Sequence, residues 1–292
     1  MISEFYKKYI KWRPQYYKRL LAYRRHFKDY RRILERKEVM PCVLEFKCGY
    51  KVSILDKEGY SIFDEIFIRE CHPLPYSQDS KIIIDIGANI GFFSIYAFLK
   101  TPKARVFAIE ANPFTFKVLK NNIESNNLSD NIPLFNFAIS ENTGEANFFC
   151  NKIPGLSTLY VQESNEEVEC VSVSTIKFST FCKTNSLKYI DYLKMDIEGA
   201  EYAAILGDSS FFDIPIKEII IEVHKSLGDN KYTFNQLIEH LKTRYSIVRI
   251  LTSAWPECPL IHCRKLKEKF INNRAVSNLK QNVHLEKRKE RG

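Results

Sequence analysis

The chain has 292 residues, of which 45% are hydrophobic and 27% charged, a composition typical of a folded globular protein that excludes a disordered chain. This length holds one domain of about 200–250 residues with appendages. Apolar runs stay well short of the roughly 18–20 residues that a membrane-spanning helix requires. The sequence therefore predicts no transmembrane segment.

The net charge of +9 is unevenly distributed along the chain. Residues 1–40 carry 13 Lys and Arg against 4 Asp and Glu, and residues 264–292 carry 10 against 3. The remaining 21 basic and 28 acidic residues give positions 41–263 a net charge of −7. The basic ends suggest an anionic partner, whereas the acidic centre gives no sign that the active site binds polyanions.

The eight cysteines are scattered, form no C-x-x-C pair and follow no signal peptide. This usage predicts a reduced, cytoplasmic setting. Cys258, His262 and Cys263 form the one cluster that resembles a ligand set, but their spacing fits no common zinc pattern. We interpret these cysteines as packing residues of a late strand and assign no metal site from the sequence.

Aromatic and aliphatic residues recur every three or four positions from Phe5 to Leu34, with basic residues between them. This spacing predicts a helix over about 14–38 that begins near Pro14. The stripe either packs on the core or lies on an anionic membrane surface, and core packing is favoured because every surface helix is amphipathic. Residues 1–40 are expected to form a basic helical extension, with peripheral contact at the inner membrane surface as the second alternative.

The pattern changes after residue 41. An alternating segment at 43–54 predicts a hairpin around Gly49, and a short helix follows at about 60–70. Apolar strands are predicted at 82–84, 106–109, 134–138, 190–195 and 219–223, with helices at about 91–100, 113–126, 199–206 and 231–244. This alternation predicts an α/β fold with a doubly wound sheet.

Two stretches interrupt the alternation, at 145–150 and 167–172, and predict an antiparallel insertion. Residues 245–251 and 259–264 predict a closing antiparallel pair, and the tail from Lys265 is expected to be mobile. The predicted organisation is a helical extension (1–40), a hairpin and helix leading into the core (41–80), the core domain (81–264) and a basic tail (265–292).

Ligands of such sheets bind at the carboxyl ends of the strands, where the strand order reverses. After the first core strand, Gly87 and Gly91 permit a tight turn whose backbone N–H groups are expected to face an anionic group. Asp85 at the strand tip is placed to meet an ammonium group, and Asn89 lies in the same turn. A ligand with adjacent carboxylate and ammonium groups fits both features.

Glu110 ends the second core strand, 23 residues after Gly87. A carboxylate at that position can accept hydrogen bonds from both hydroxyls of a ribose. An amino acid joined to a nucleoside is S-adenosylmethionine, which is the predicted cofactor. A nicotinamide dinucleotide is disfavoured because its phosphate turn follows G-x-G-x-x-G, whereas this turn follows G-x-x-x-G.

The fourth core strand ends in a charged segment that contains Lys194, Asp196, Glu198 and Glu201. Alternation places Lys194 and Asp196 on one side of the strand at the cleft, and Glu201 is interpreted as a partner of the next helix N-terminus. Asp196, Glu198 and His224 are the predicted candidates for a catalytic base, and the two carboxylates are favoured. The sequence leaves open whether these groups also hold a divalent cation.

Three segments in this order and spacing resemble the FkbM-type methyltransferase family: DIGANIG at 85–91, EANP at 110–113 and KMDIEGAE at 194–201. The segment SIFDEIF at 61–67 is similar to the stretch that precedes the cofactor turn in that family. The likeness covers roughly residues 60–225. It implies a seven-stranded Rossmann-like methyltransferase fold, S-adenosylmethionine as donor, and transfer to a hydroxyl, commonly on a sugar or a secondary metabolite.

The expected cofactor-binding residues are Asp85, Gly87, Asn89, Gly91, Glu110, Ala111 and Ala138. The chain departs from the family at Thr175-Ile176-Lys177, where such proteins often show Thr-Leu-Asp. If that Asp helps to build the acceptor site, the acceptor of this chain differs.

The sequence thus predicts an S-adenosylmethionine-dependent O-methyltransferase that acts on a sugar, a glycan or a secondary metabolite. The basic ends suggest an RNA-binding or RNA-modifying methyltransferase as the alternative. Nucleic acid is nevertheless the disfavoured partner, because the fourth strand lacks the Asn/Asp-Pro-Pro-aromatic turn of base-amino methyltransferases. A catalytically silent protein that retains the fold is a third alternative. Neither the acceptor nor the oligomeric state follows from the sequence.

Overall fold

The computed structural model describes residues 13–28, 30–31, 40–55, 59–74, 80–150, 169–225, 231–251 and 258–271. Helix α1 (Arg13–His26) is followed by an isolated antiparallel bridge between Phe27 and Phe46. Strands β1 (Cys42–Glu45) and β2 (Lys51–Ile54) form the predicted hairpin. Helix α2 (Gly59–Phe63) then continues into a π-helical turn, Asp64–Ile68.

The core alternates strands and helices as predicted. Its first half contains β3 (Ile82–Ile86), α3 (Phe92–Lys100), β4 (Arg105–Ile109), α4 (Pro113–Glu124), β5 (Leu134–Phe135), β6 (Ala138–Ile139), β7 (Gly144–Cys150), β8 (Glu169–Ile176) and α5 (Phe178–Thr184). Its second half contains β9 (Ile190–Met195), α6 (Glu201–Leu206), β10 (Ile216–Glu222), α7 (Phe234–Arg244), β11 (Tyr245–Leu251), β12 (Leu260–Leu266) and a 3₁₀ turn, Glu268–Phe270.

Seven strands form the main sheet in the order β11-β12-β10-β9-β3-β4-β5. Five neighbouring strands, from β10 to β5, run parallel, and β12 pairs antiparallel with both β10 and β11. The strand order reverses between β3 and β9, because the chain moves from β3 out to β5 and later returns to β9 beside β3. The predicted doubly wound sheet and closing antiparallel pair are confirmed, and the reversal defines the cleft.

Apolar side chains cover both faces of the central strands, as expected for a parallel sheet between two helical layers. Ile83 and Tyr192 belong to the core on one face, together with α3 and the N-terminal elements. Ile84 and Leu193 belong to the core on the other face, with α5, α6 and α7. Successive residues of β3 and β9 thus alternate between two cores, and both strands are held rigidly where they enter the cleft.

The predicted strand 134–138 is wrong as a single element. Leu134 pairs with Ala108 in the main sheet, whereas Ala138 pairs with Thr175 of β8 in a separate three-stranded sheet. Between them, the Asn136 side chain donates to the Glu110 carbonyl at 2.8 Å and turns the chain from one sheet to the other. The predicted insertion is confirmed as the antiparallel pair β7–β8. Helix α5 was not predicted.

The predicted N-terminal helix is confirmed over Arg13–His26 but is interrupted after it, because Phe27 leaves the helix to pair with Phe46. Tyr30 and Arg31 are helical again, and the predicted end near 38 falls outside the described residues. Tyr23 and Phe27 are fully buried, so this part of the aromatic stripe packs on the core. Residues 1–12 and 32–39 lie outside the described residues, and the membrane contact of residues 1–40 remains a prediction. The described helices include none that combines the length and apolarity needed to cross a bilayer.

The beginning of the predicted mobile tail is ordered. Lys265 and Leu266 are the last two residues of β12, and the backbone of Lys267 donates to the Arg244 carbonyl at 2.9 Å. This contact closes the end of the β11–β12 pair against α7. The rest of the tail, residues 272–292, lies outside the described residues.

Two asparagines, one in helix α4 and one just after its end, attach the N-terminal hairpin to the core. Asn126 accepts from the Lys51 N–H and donates to the Lys51 carbonyl. Asn122 makes the same pair of hydrogen bonds with Ser53 and also donates to the Ile90 carbonyl at 2.8 Å. One buried amide therefore joins the hairpin to the turn that follows β3.

Candidate active site

A cavity of about 540 Å³ opens at the carboxyl ends of β3, β4, β9 and β10. Its wall includes side chains from α2, from the π-helical turn, and from β6 and β7 of the small sheet. The residues near the strand ends that line it include Gly87, Ala88, Asn89, Glu110, Ala111, Ala138, Asp196, Glu198, Glu222 and His224. Every predicted site residue except Asp85 and Gly91 lines this cavity.

The two glycines after β3 are required by packing within the turn. Gly87 has φ +78°, and a Cβ there would lie 1.8 Å from the carbonyl oxygen of Asp196. Gly91 has φ +94° at the start of α3, and a Cβ there would lie 2.7 Å from Leu119 Cδ1. Both positions combine a left-handed backbone with close neighbours, so only glycine fits. Gly91 therefore shapes the turn without lining the cavity.

The backbone N–H groups of residues 87–91 are all used within the protein. Two donate to the carbonyl of Ile109 at 2.9 Å, and one donates to Glu110 Oε2 at 2.8 Å. The other two are taken up inside the turn by the Asn89 side chain and the Ala88 carbonyl. The expectation that this turn offers free N–H groups to an anionic ligand is therefore wrong. The turn instead shapes the cavity wall and positions Glu110 through the N–H group of Asn89.

Asp85 lies behind the cavity wall and is completely buried. Its carboxylate accepts from Ser94 Oγ at 2.6 Å and lies 3.4 Å from Lys194 Nζ. Burial raises the pKa of Asp85, and the Lys194 ammonium opposes that shift. Lys194 in turn donates to the Gly87 carbonyl at 2.8 Å. The predicted contact of Asp85 with a ligand's ammonium group is not supported, because its cationic partner is Lys194.

Glu110 follows β4 and is held by the backbone on two sides. Its carboxylate accepts from the N–H of Asn89 at 2.8 Å and from the N–H of Asn112 at 2.9 Å. Burial raises the pKa of Glu110 to about 7, and these two hydrogen bonds oppose the rise only in part. A carboxylate has about four acceptor positions, so Glu110 retains capacity to accept two more hydrogen bonds from the cavity side.

An apolar wall stands next to Glu110. Ala138 and Phe148 pack together in a small buried cluster, with Ala111 against it, and all three line the cavity. Phe148 was missed by the sequence analysis because it lies on β7, in the insertion, where nothing local connects it to the cleft. This part of the cavity, formed by Glu110, Ala111, Ala138 and Phe148, is referred to below as the nucleoside end.

The opposite part of the cavity is crowded with ionisable groups. His224 Nδ1 lies 3.1 Å from Glu201 Oε1, and His224 Nε2 lies 3.4 Å from Glu198 Oε2 and 4.0 Å from Asp196 Oδ1. Burial alone would lower the pKa of His224, but the hydrogen bond to Glu201 and the three carboxylates raise it. The imidazole is therefore held in its charged form, which does not accept a proton.

Glu201 has a larger role than the predicted one. It is the first residue of α6 and accepts from the N–H groups of Ile197 and Gly199, as a partner of the helix N-terminus does. It is also completely buried and fixes the orientation of His224. The spacing of the charged segment indicated the first contact, whereas the second depends on the pairing of β9 with β10.

Three further residues of this end were not predicted: Glu65 in the π-helical turn, His72 after it, and Glu222 as the last residue of β10. Burial and the Glu222 charge raise the pKa of Glu65 to about 7. Burial and Lys194 lower the pKa of His72 to about 4, so that its imidazole is neutral at pH 7. Glu65, His72, Asp196, Glu198, Glu222 and His224 are referred to below as the ionisable end. The departure at Thr175-Ile176-Lys177 lies elsewhere, since Lys177 is the N-cap residue of α5 and does not line the cavity.

The strand order and the position of the cavity define a Rossmann-like methyltransferase sheet. A family model described as the methyltransferase FkbM domain matches residues 85–246, and this chain belongs to that family. The predicted resemblance is confirmed. The match begins at the buried Asp85 and includes the carboxyl end of every strand that borders the cavity.

Named relatives agree with this assignment. The chain is 30% identical over 187 residues to Methyltransferase 1 of Beauveria bassiana, a match that covers 58% of this chain and 74% of that protein. It is 23% identical to the hexuronic acid methyltransferase AglP of Haloferax volcanii, covering 61% of this chain and 69% of that protein. It is 24% identical to the 31-O-demethyl-FK506 methyltransferase FkbM of Streptomyces tacrolimicus, covering 57% and 75%. The protein is thus a member of a family of methyltransferases.

Proposed function

We propose that the protein transfers a methyl group from S-adenosylmethionine to a hydroxyl of a sugar, a glycan or a secondary metabolite. The observation that carries the proposal is Glu110: a buried carboxylate with unused acceptor capacity, which faces a cavity beside an apolar wall. Burying a carboxylate at such a position is costly unless a ligand completes its hydrogen bonds. The two vicinal hydroxyls of a ribose would do so.

The residues at the nucleoside end fit this cofactor. Glu110 would accept from the ribose hydroxyls, and Ala111, Ala138 and Phe148 offer an apolar surface for the adenine base. Asn89 keeps Glu110 in place through its N–H group. When bound, S-adenosylmethionine supplies a methyl group that is activated by its positive sulfur.

Transfer to a hydroxyl requires a group that removes the hydroxyl proton as the new O–C bond forms and the C–S bond breaks. Of the three predicted candidates, His224 is held in its charged form and is a poor acceptor of that proton. Asp196 lies 3.5 Å from the Lys194 ammonium, which stabilises its charge and weakens it as a base. We therefore favour Glu198, which lines the cavity and contacts His224 at 3.4 Å.

A sugar or metabolite acceptor is supported by the relatives, whose names specify a hexuronic acid in one case and 31-O-demethyl-FK506 in another. The charge of the ionisable end counts against the alternative acceptor, RNA. Glu65, Asp196, Glu198 and Glu222 all line this end, and carboxylates repel a phosphate backbone.

The test is a methyl-transfer screen with the full chain and radiolabelled S-adenosylmethionine over three acceptor panels: uronic acids and other sugars, hydroxylated metabolites, and RNA. We expect turnover with a hydroxyl acceptor and micromolar binding of S-adenosylhomocysteine in calorimetry. Binding without turnover on any panel would support a silent protein, and labelling of RNA alone would overturn the proposed acceptor class.

The base is tested with Glu198→Gln, Asp196→Asn and His224→Asn, with Glu124→Gln on the exposed surface of α4 as the charge-matched control. Glu198→Gln should lower kcat by about 100-fold or more while the affinity for S-adenosylhomocysteine stays within about twofold. An unchanged kcat in Glu198→Gln would remove this residue as the base.

A further inference from the structure

His72 is a buried histidine whose hydrogen-bonding groups are not used by the protein. Its side chain is 3% exposed and lines the cavity, with its ring edge against Phe93. Neither ring nitrogen has a hydrogen-bond partner among the described residues. Leaving buried polar atoms unsatisfied is energetically costly, so such a group points to an ion or ligand that completes it.

Two carboxylates converge on this imidazole from different elements. Glu222, the last residue of β10, has Oε2 3.4 Å from His72 Nε2, and Asp196 follows the end of β9. One ligand atom from each of His72, Asp196 and Glu222 lies within 4.8 Å of the other two. Because three separate segments supply these atoms, the grouping is a product of the tertiary fold and not of a local acidic run.

We propose that His72, Asp196 and Glu222 bind a divalent transition-metal ion at the ionisable end of the cavity. One neutral imidazole and two carboxylates balance the charge of a divalent ion. They also form the mixed nitrogen and oxygen ligand set that suits Mn²⁺, Fe²⁺, Co²⁺ or Zn²⁺ better than Mg²⁺. Three protein ligands leave at least one coordination position for a molecule in the cavity.

The surrounding charges favour a cation. Beyond the two carboxylate ligands, Glu65 and Glu198 also line this end, and Glu65 Oε1 has no hydrogen-bond partner among the described residues. Lys194 opposes metal binding, because its Nζ lies 3.5 Å from Asp196 Oδ2. Its charge is largely directed to Asp85 and the Gly87 carbonyl. The charged His224 also opposes metal binding, but its Nε2 lies 4.0 Å from Asp196 Oδ1, beyond hydrogen-bond distance, so this oxygen can still bind a metal.

A second group in the same cavity competes for the assignment. Atoms of Asp196, Glu198 and His224 also lie within 4.8 Å of one another. His224 Nδ1 already makes a hydrogen bond with Glu201 Oε1 at 3.1 Å. Neither nitrogen of His72 makes a hydrogen bond with a described residue, although Nε2 lies 3.4 Å from Glu222 Oε2. The unused imidazole therefore selects the group that contains His72.

The proposed role of the metal rests on the proposed function: an acceptor hydroxyl that binds the open position would lose its proton more readily. Metal binding itself does not depend on that function, and the two are tested separately. The probes are Mn²⁺, followed by electron paramagnetic resonance and calorimetry, and Zn²⁺, followed by calorimetry. The protein is the chelator-treated full chain.

We expect one metal ion per chain, with Mn²⁺ bound more tightly than Mg²⁺. His72→Asn and Glu222→Gln should each weaken Mn²⁺ binding by about 100-fold, whereas His240→Asn, a half-buried histidine on α7 outside the cavity, should leave it unchanged. The new side chains in His72→Asn and Glu222→Gln are close in size to the native ones. Without metal, both variants should therefore unfold at a temperature near that of the wild type.

Two results would overturn the site: no Mn²⁺ or Zn²⁺ binding by the wild-type chain, or binding that survives His72→Asn and is lost in His224→Asn. A Glu110→Gln variant separates the two proposals. It should lose affinity for S-adenosylhomocysteine while it retains Mn²⁺ with wild-type affinity. Metal binding without any affinity for S-adenosylhomocysteine in the wild-type chain would overturn the proposed function and leave the metal site intact.

Discussion

The two ends of the cavity handle buried charge in opposite ways. At the nucleoside end, one carboxylate, Glu110, is fixed by two backbone N–H groups and flanked by apolar side chains. At the ionisable end, four carboxylates and two histidines are supplied by three separate parts of the chain, and some of their polar atoms have no partner among the described residues. The backbone holds the carboxylate of the nucleoside end in place. At the ionisable end, the unsatisfied polar atoms are explained by the metal ion proposed above.

The largest loss of stability is expected at Gly87, in the turn that positions Glu110 at the nucleoside end and contacts Asp196 of the ionisable end. Gly87→Ala would place a Cβ 1.8 Å from the Asp196 carbonyl oxygen, so the turn and the end of β9 must separate. The free energy of unfolding should fall by about 4 kcal/mol, since overpacking adds to left-handed backbone strain. Urea unfolding measures this loss.

Gly49→Ala is the matched control, because Gly49 has φ +94° and a Cβ there would meet none of the described residues within 4 Å. It carries the backbone strain without the collision and should cost only about 1 kcal/mol. Equal losses in the two variants would show that the contact between the turn and Asp196 has no energetic weight.

The second loss of stability is expected at Lys194, which contacts both the Gly87 carbonyl and the Asp196 carboxylate. Lys194→Met leaves Asp85 buried without its cationic partner and should lower the free energy of unfolding by about 3 kcal/mol. The loss should shrink as the pH falls, because Asp85 would then have a pKa raised further above its unfolded value and would be stabilised by taking up a proton.

The double variant Asp85→Asn with Lys194→Met removes both charges and should recover a large part of the loss. A double variant as unstable as Lys194→Met would contradict the pairing. Urea unfolding of the wild type and of each variant at pH 6 and pH 8 completes the measurement.

The third effect is confined to the nucleoside end. Glu110→Gln should weaken S-adenosylhomocysteine binding by about 100-fold, because the amide retains only one of the two acceptor oxygens and keeps it engaged with the backbone. Calorimetry measures the affinity, with Glu124→Gln as the control. If Glu110→Gln retained its affinity for S-adenosylhomocysteine, Glu110 would not be a ligand of the nucleoside.

The smallest effect is a pH dependence. With the pKa of Glu110 raised to about 7 by burial, its ionised fraction falls between pH 8 and pH 6, and the affinity for S-adenosylhomocysteine should fall by about tenfold. Lys194 and Asp85 are the charged groups whose fields reach Glu110, and their opposite effects partly cancel.

Stability should change in the other direction. A pKa raised above the unfolded value gives a contribution that is present at low pH and is lost as the pH rises through about 7. Binding should therefore improve over the same range in which this contribution disappears. A flat affinity profile in the wild type, identical to that of Glu110→Gln, would contradict the role of this group.

The parts of the site that depend on a single strand end or a single turn could be predicted from the sequence. Glu110 and Asp196 line the cavity as expected, because an apolar run followed by a charged residue marks a strand that ends at the cleft, while their roles remain predictions. The hydrogen-bonding state of the Gly87 turn was not predictable, since it depends on Ile109 and Glu110 of the neighbouring strand.

The missed features depend on contacts between distant segments. His72 lies in a loop between the N-terminal elements and β3, and nothing in its local sequence distinguishes it from a surface histidine. The division of 134–138 into two strands depends on hydrogen bonds from Asn136 to the carbonyls of Glu110 and Ala111. Helix α5 is short and rich in aromatic, Ser and Thr residues, which have low helix propensity.

The hydrogen bonds that Asn122 makes to both Ser53 and Ile90 have a consequence for any truncation of the chain. Cutting before residue 81 would follow the predicted domain boundary, yet it would deprive Asn122 of Ser53 and leave part of its amide unsatisfied beside the Ile90 carbonyl. It would also remove Glu65 and His72 from the cavity wall. A shortened protein of this kind would expose the core on the face of the sheet that the N-terminal elements cover, and its cavity would open to water on the side where the acceptor is expected to bind.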